Sequence, residues 1–304
     1  MHRDGAGDFR SGFAALIGRP NVGKSSLVNA LVGRKISIVS PKPQTTRRRV
    51  QAVLNVPGRQ AVFVDTPGVQ RPKDLLDRAM MRAAVDSLEG VDLVLLVVDA
   101  SRSRGEEDRA AAELVRRAGG PGTSLLVANK IDLVEGDPDE TAARAAAELS
   151  FPGPRLAVSA ATGQGVDELR GWVIERLAPG PRYFPEDMPT DLSEDSVLAE
   201  MVREQVLRQV GDEVPHETAV VVEENGPRPG GRRYVRAAVV VARESQKGII
   251  IGAGGRRLKE IGRAARAGIE SLLGQPVYLD LWVKVEKDWR RSAARLREYG
   301  YGAE

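Results

Sequence analysis

The sequence predicts a doubly wound, mostly parallel α/β sheet followed by a smaller α+β unit. Three observations carry this. Short apolar runs alternate with helix-like stretches from residue 13 to 177, prolines interrupt the alternation at 179, 181, 185 and 189, and a different element order follows.

In chain order, the expected strands of the first unit are residues 13–17, 61–64, 93–98, 125–127 and 156–158. The helical stretches are 24–31, 75–88, 106–117, 140–149 and 166–177. Several of these strands are apolar without alternation, as befits strands covered on both faces, so a ligand is expected outside their carboxyl ends. The Pro-rich acidic stretch cannot easily be helix or central strand and reads as a linker. Beyond it Leu198, Val202, Val206 and Val210 recur every four residues, giving an amphipathic helix. Strand-like segments 218–222 and 234–241, a Gly-rich turn at 252–255, a helix to about 273 and a strand at 277–285 complete an α-β-β-α-α-β order. The expected division is 1–180, a linker at 181–195, and 196–304.

Composition excludes several chemistries. The chain has no cysteine, so disulfides, thiolate metal sites and a Cys nucleophile are ruled out, and with two histidines, His2 and His216, a three-His zinc site is impossible. The net charge of +3 hides a partition. Residues 1–181 net +3, residues 182–227 net −9 and residues 228–297 net +11, with 17 basic against 6 acidic side chains in the last block. Such a block suggests a surface addressed to a polyanion. No apolar run exceeds six residues and the first twelve lack an apolar segment, so neither a membrane-spanning helix nor a secretory signal is expected. The cytoplasm is the default, and a peripheral position at the inner face of the membrane stays open.

Gly18-Arg19-Pro20-Asn21-Val22-Gly23-Lys24-Ser25, followed by Ser26, fits the P-loop pattern directly after a strand and at the opening of a helix. Its glycines let backbone N–H groups converge on phosphate oxygens, Lys24 reaches the outer phosphates, and Ser25 supplies a hydroxyl to Mg²⁺. Three further stretches stand at strand ends. Asp65-Thr66-Pro67-Gly68 offers a carboxylate for Mg²⁺ through water and the Gly68 N–H for a γ-phosphate. Asn129-Lys130-Ile131-Asp132 offers a carboxylate that accepts from the N1–H and N2–H₂ edge of guanine, where adenine presents no matching donors. Ser159-Ala160-Ala161 can close over the base. Together they specify a guanine nucleotide, GTP or GDP, with Lys24, Thr46, Asp65 and Gly68 at the reacting end. Thr46 is the expected hydroxyl completing the Mg²⁺ shell beside Ser25 and Asp65, with Thr45 the alternative. Arg47, Arg48 and Arg49 contact RNA or a partner, or form a solvated run.

In the second unit, Gly252-Ala253-Gly254-Gly255 forms a GxxG turn between two helices that lets a nucleic-acid backbone approach main-chain N–H groups, with Lys247, Arg256, Arg257 and Lys259 around it for phosphates. Ile249, Ile250, Ile251 and Leu258 would floor a groove for unstacked bases, and Trp282 and Trp289 read as packing residues.

These stretches, with Lys42 to Arg49, Phe184-Pro185-Glu186-Asp187 and Leu281-Trp282-Val283-Lys284-Val285, resemble the Era family of bacterial GTPases over nearly the whole chain. The resemblance implies a P-loop GTPase domain followed by a type II KH domain. It also implies GTP hydrolysis coupled to assembly of the 30S ribosomal subunit, with the KH unit on the single-stranded 3′ end of 16S rRNA, and a monomer. Val69 stands where Ras-like relatives place a water-orienting Gln, so slow intrinsic hydrolysis is expected. Asn21 resembles the residue that holds K⁺ against the phosphates in related GTPases. Two rivals remain: an RNA chaperone switched by GTP occupancy with hydrolysis as reset, and an ATP-dependent P-loop kinase or ATPase, against which Asp132 argues.

Overall fold

The computed structural model describes residues 9–120, 122–211, 214–228 and 232–302. His2 and residues 229–231 of the loop joining the two strand-like segments lie outside the described residues. Two compact units are present. One comprises Met1–Ser37, Thr46–Lys73 and Asp77–Asp191, the other Ile38–Thr45, Asp74–Leu76 and Leu192–Glu304.

The first unit alternates strand and helix: β1 (Arg10–Ile17), α1 (Lys24–Val32), β2 (Val50–Val56), β3 (Arg59–Asp65), α2 (Leu75–Asp86), β4 (Leu93–Asp99), α3 (Glu106–Ala118), β5 (Ser124–Asn129), α4 (Pro138–Glu148), β6 (Arg155–Val158), α5 (Val166–Glu175) and β7 (Ala178–Pro179). The sheet order is β2-β3-β1-β4-β5-β6, with β7 antiparallel to β1. Neighbours from β3 to β6 run parallel, and β2 is antiparallel to β3. All seven residues of β4 are buried, which explains its unbroken apolar run. Alternate residues feed two cores, one holding Leu16, Phe63, Leu95 and Val127, the other Ile17, Leu96, Val98 and Leu126.

Missed in the sequence analysis are the short β7, the helix at Ala293–Glu298 in the second unit, and the edge strand β2, which follows an arginine run and pairs in the sheet through the hairpin to β3. The outer edge of β2 is not left open. The Val53 N–H donates to the Pro189 carbonyl at 2.9 Å, the Gln51 N–H donates to Asp191 Oδ1 at 2.9 Å, and Ala52 bridges Thr190. Buried Gln60 accepts from the Tyr183 and Phe184 N–H groups at 2.8 and 3.0 Å and donates to the Phe184 carbonyl at 2.8 Å. The stretch expected to be linker is thus, up to Asp191, a strap that covers an edge strand.

The second unit contains α6 (Glu194–Gln209), β8 (Ala219–Pro227), β9 (Arg233–Val241), α7 (Glu244–Ile251), α8 (Arg256–Leu273), β10 (Val277–Val285) and α9 (Ala293–Glu298). Its sheet order is β10-β9-β8, with β10 parallel and β8 antiparallel to β9. Val235, Ala237, Val239 and Val241 of β9 meet Leu198, Val202 and Val206 of α6 and Ile261, Ala265 and Ile269 of α8 in one core. Trp289 is fully buried, as expected for packing, whereas Trp282 is half-exposed on the other face of the sheet and donates to Glu223 at 2.8 Å.

Candidate nucleotide site and RNA clamp

The parallel strands deliver their carboxyl ends to one place. β1 runs into Gly18, β3 ends on Asp65, β4 on Asp99, β5 on Asn129, and Ser159 follows β6. The loop Gly18 to Gly23 can fold tightly because its glycines stand where side chains cannot. A Cβ on Gly18 would lie 2.2 Å from the Val97 carbonyl oxygen, and Gly23 sits at φ 95° with Asn129 Nδ2 2.3 Å from any Cβ added there.

Lys24 lies at the start of α1 and is buried, its Nζ donating to the Gly18 and Arg19 carbonyls at 3.0 and 3.1 Å. Burial pushes its ammonium down to about 8, opposed by the carboxylate of Asp65. A phosphate beside Lys24 would push it back up. Ser25 Oγ and Thr46 Oγ1 are 2.7 Å apart, and Thr46 donates to Asp65 Oδ2 at 3.3 Å. Thr45 instead donates to the Lys42 carbonyl at 2.7 Å, so Thr46 is the threonine brought to Ser25 and Asp65. Asp65 is fully buried, burial pushes its carboxyl up, and its Oδ1 has no hydrogen-bond partner. An orphaned buried carboxylate oxygen beside two hydroxyls fits a hard divalent cation such as Mg²⁺.

Thr66 Oγ1 donates to the Leu16 carbonyl at 2.6 Å, the Val69 N–H donates to the Gly18 carbonyl at 3.0 Å, and a Cβ on Gly68 would lie 2.6 Å from the Pro20 nitrogen. Residues 66–69 are therefore packed against the P-loop. Val69 itself is 3% exposed and belongs to the core between α3 and the sheet.

At the base end, Asn129 Nδ2 donates to the Val22 carbonyl at 2.9 Å and its Oδ1 accepts from the Ala160 N–H at 3.0 Å. Ser159 Oγ donates to Asp132 Oδ1 at 2.5 Å and holds an otherwise exposed carboxylate, while Ala161 is exposed. Lys130 Nζ donates to the Asn21 carbonyl and to Asp99 Oδ2, both at 2.7 Å. Sequence reasoning overlooked Asp99, although a carboxylate ending an all-apolar strand, as Asp65 does, was a readable signal. It also overlooked Asp108, 89 residues from its partner, whose two oxygens each take the Arg19 Nε–H at 3.1 Å. These two ion pairs brace the P-loop at Arg19 and at the Asn21 carbonyl.

In the second unit, Gly252, Gly254 and Gly255 adopt φ of 70°, 59° and 77°, which only glycine takes without strain, and Gly255 opens the 18-residue α8. Its first turn contains no acid and carries Arg256, Arg257 and Lys259. Cations at a helix N-terminus oppose the dipole, an arrangement that an incoming anion reverses. Arg256 and Lys259 are exposed. Arg257 is half-buried and its Nη1 donates to the Ile249 carbonyl at 2.7 Å, bracing the turn, and Lys247 is half-buried on α7. Of the expected apolar floor, Ile249 is exposed, Ile251 and Leu258 are half-buried, and Ile250 is committed to the core.

Fold and site together define a P-loop GTPase carrying a KH unit. The family model described as a 50S ribosome-binding GTPase matches residues 13–130, and that of the KH domain matches residues 213–290. The chain is 46% identical over 294 residues to GTPase Era of Carboxydothermus hydrogenoformans, covering 96% of this chain and 98% of the relative. It is likewise 46% identical over 296 residues to GTPase Era of Geobacter metallireducens. A crystal structure of Era in complex with MgGDPNP and nucleotides 1506–1542 of 16S ribosomal RNA superposes with a TM-score of 0.92 at 39% identity, covering 97% of this chain and all of that one. The chain belongs to the Era family of GTPases. Among the described residues no helix is long and apolar enough to cross a membrane.

Proposed function

We propose that this GTPase binds GTP through residues 18–26, hydrolyses it by direct attack of water on the γ-phosphate, and uses the reaction to control a KH clamp on the single-stranded 3′ end of 16S rRNA during 30S subunit assembly in the cytoplasm. The observation that carries the reading is the cluster of Lys24, Ser25, Thr46 and Asp65 at the strand ends, supported by the carboxylate of Asp132 held at the base end by Ser159. Bound Mg²⁺, held by the Ser25 and Thr46 hydroxyls with Asp65 behind it, would neutralise charge developing between the β- and γ-phosphates.

The protein supplies the rest. Buried Lys24 takes its proton fully when the phosphates arrive and holds the transferring group. The Gly68 N–H meets the γ-phosphate, and Asn129 fixes the P-loop to the base-binding loop through Val22 and Ala160. Val69 is sequestered in the core and orients no water, so the unassisted rate is slow and a further positioning group is needed. A K⁺ ion, if held by Asn21, whose side chain is exposed at the lip of the loop, would supply positive charge beside the phosphates. Lys247, Gly252 to Gly255, Arg256, Arg257 and Lys259 form the RNA clamp.

The test is single-turnover GTP hydrolysis with and without a 3′ fragment of 16S rRNA. Stimulation that disappears in a Gly254→Asp, Gly255→Asp variant supports the coupled enzyme. An identical rate with and without RNA, with RNA bound, leaves the chaperone reading in its place.

A further inference from the structure

The face of the β8-β9-β10 sheet turned away from α6 and α8 carries an ordered stack that the clamp does not use. Side chains alternate along each strand. Val235, Ala237 and Val239 enter the core, and Tyr234 and Arg236 stand on the other side, as do Tyr278, Asp280 and Trp282 of β10. Tyr234 and Tyr278 are directly paired in register, and their rings stack at 5.8 Å between centroids and 13° between planes. Arg228, just beyond β8, lies 4.3 Å from the Tyr234 ring centre. Because β9 is the central strand, Arg228 and Tyr278 approach Tyr234 from opposite sides. The Tyr234 hydroxyl donates to Asp280 Oδ2 at 2.9 Å, which pins the middle ring. The ladder therefore ends on Tyr278, on edge strand β10, and Tyr278 is 60% exposed.

A second observation leads from the clamp to this ring. Exposed Arg256, Lys259, Arg263 and Arg266 recur at three- and four-residue spacing, making one stripe along α8. Gly262 of α8 faces Leu281 of β10, whereas Gly268 faces Met201 of α6. On a helix of 100° per residue the stripe lies closer to the Gly262 side, so it runs along the β10 side of the helix. From Arg256 to Arg266 it extends roughly 15 Å, and α8 continues to Leu273, which is followed by Gly274 and then β10.

We propose that Tyr278 is a stacking platform for an unpaired base of the same RNA strand that the GxxG turn holds, its backbone carried between the two by the α8 stripe. This rests on the clamp reading above. RNA is favoured over a protein partner because a rigid, exposed aromatic at the end of a line of phosphate-reading cations is the arrangement by which single strands are bound, stacking for the base and charge for the backbone. A GxxG turn accounts for about four nucleotides, so the platform is reached only by a longer strand.

The experiment compares full-length protein on single-stranded 3′ fragments of 16S rRNA of about four and about twelve nucleotides. Tyr278→Ala should weaken the longer RNA roughly five-fold or more and leave the shorter one unchanged, while Tyr278→Phe keeps both at the parent value. Arg263→Gln with Arg266→Gln should lower the salt slope of the longer RNA by about 0.7 per lost phosphate contact. Unchanged binding of the longer RNA by Tyr278→Ala overturns the proposal and hands the surface to a protein partner. Equal weakening of both lengths also overturns it. Gly254→Asp, which should abolish binding of the shorter RNA, tests the clamp separately.

Discussion

Thr46 Oγ1 stands 2.7 Å from Ser25 Oγ, although Ser25 lies in the first turn of α1 and Thr46 lies in the segment that leads from α1 to β2. Ser25 is fixed by the first turn of α1, whereas Thr46, four residues before β2, is held by its side-chain bonds to Ser25 and Asp65. The difference predicts different phenotypes. Thr46→Ala should leave GDP affinity near the parent value and slow single-turnover GTP hydrolysis on the order of 100-fold, because its hydroxyl matters only when the γ-phosphate is present. Ser25→Ala should weaken both nucleotides in Mg²⁺ and neither in EDTA. Equal loss of GDP and GTP affinity in Thr46→Ala would contradict the assignment.

Asp132 is exposed apart from the hydroxyl of Ser159 at 2.5 Å. Two charge-assisted bonds to the base at about 1.5–3 kcal/mol each predict that Asp132→Asn loses at least about 100-fold in GDP affinity. The amide of the variant can donate to a carbonyl at the purine 2-position, so xanthosine diphosphate should replace GDP as the preferred ligand. Competition titration against a fluorescent guanine nucleotide measures both. Ser159→Ala, which frees one carboxylate oxygen without removing it, should cost about ten-fold or less.

What the sequence made legible divides along local and distant lines. The apolar runs, the phosphate loop, the three strand-end motifs and the α-β-β-α-α-β order are written in contiguous residues, and the structure places them as read. The strap over β2 was not legible. Its determinant is Gln60, a polar residue inside a strand, whose meaning appears only when its amide meets Tyr183 and Phe184 more than 120 residues later. Trp282 reads as packing from its neighbours Leu281 and Val283, yet period-two alternation on a three-stranded sheet turns it to the open face.

Asp99 holds Lys130 against the Asn21 carbonyl, and its pH behaviour follows from its surroundings. Burial raises its carboxyl, but hydrogen bonds from Lys130 and Ser101 outweigh burial and hold it below the ordinary value of 3.8. A depressed carboxylate contributes stability that is complete above the unfolded pKa and is lost as pH falls through the folded one. The Asp99 contribution to GDP affinity should therefore be flat from pH 5 to 8 and fall only below about 4. Asp99→Asn should weaken GDP by about ten-fold at neutral pH, with Lys130→Ala at least as damaging and the double variant no worse than Lys130→Ala. A steep change in the Asp99 contribution between pH 5 and 8, or additive losses in the double variant, would refute this coupling.

Val69 occupies the position from which a glutamine orients water in Ras-like relatives, and restoring that residue is an obvious experiment. In this fold it should fail. Val69 is 3% exposed, packs in the core with Ile17, Val98 and Ala111, and is anchored by its N–H on the Gly18 carbonyl. A glutamine there either buries an unpaired amide, at about 1–3 kcal/mol, or swings out and leaves a cavity. Val69→Gln should therefore lower the melting temperature of the GDP-bound first unit by a few degrees, at about 2–4 °C per kcal/mol, without accelerating hydrolysis. Val69→Ala, which only removes methyl groups, should shift the melt less and leave the single-turnover rate unchanged. Faster hydrolysis in Val69→Gln with an unshifted melt would show that this side chain reaches the γ-phosphate after all, and that slow intrinsic turnover reflects the missing amide rather than the packing of the loop.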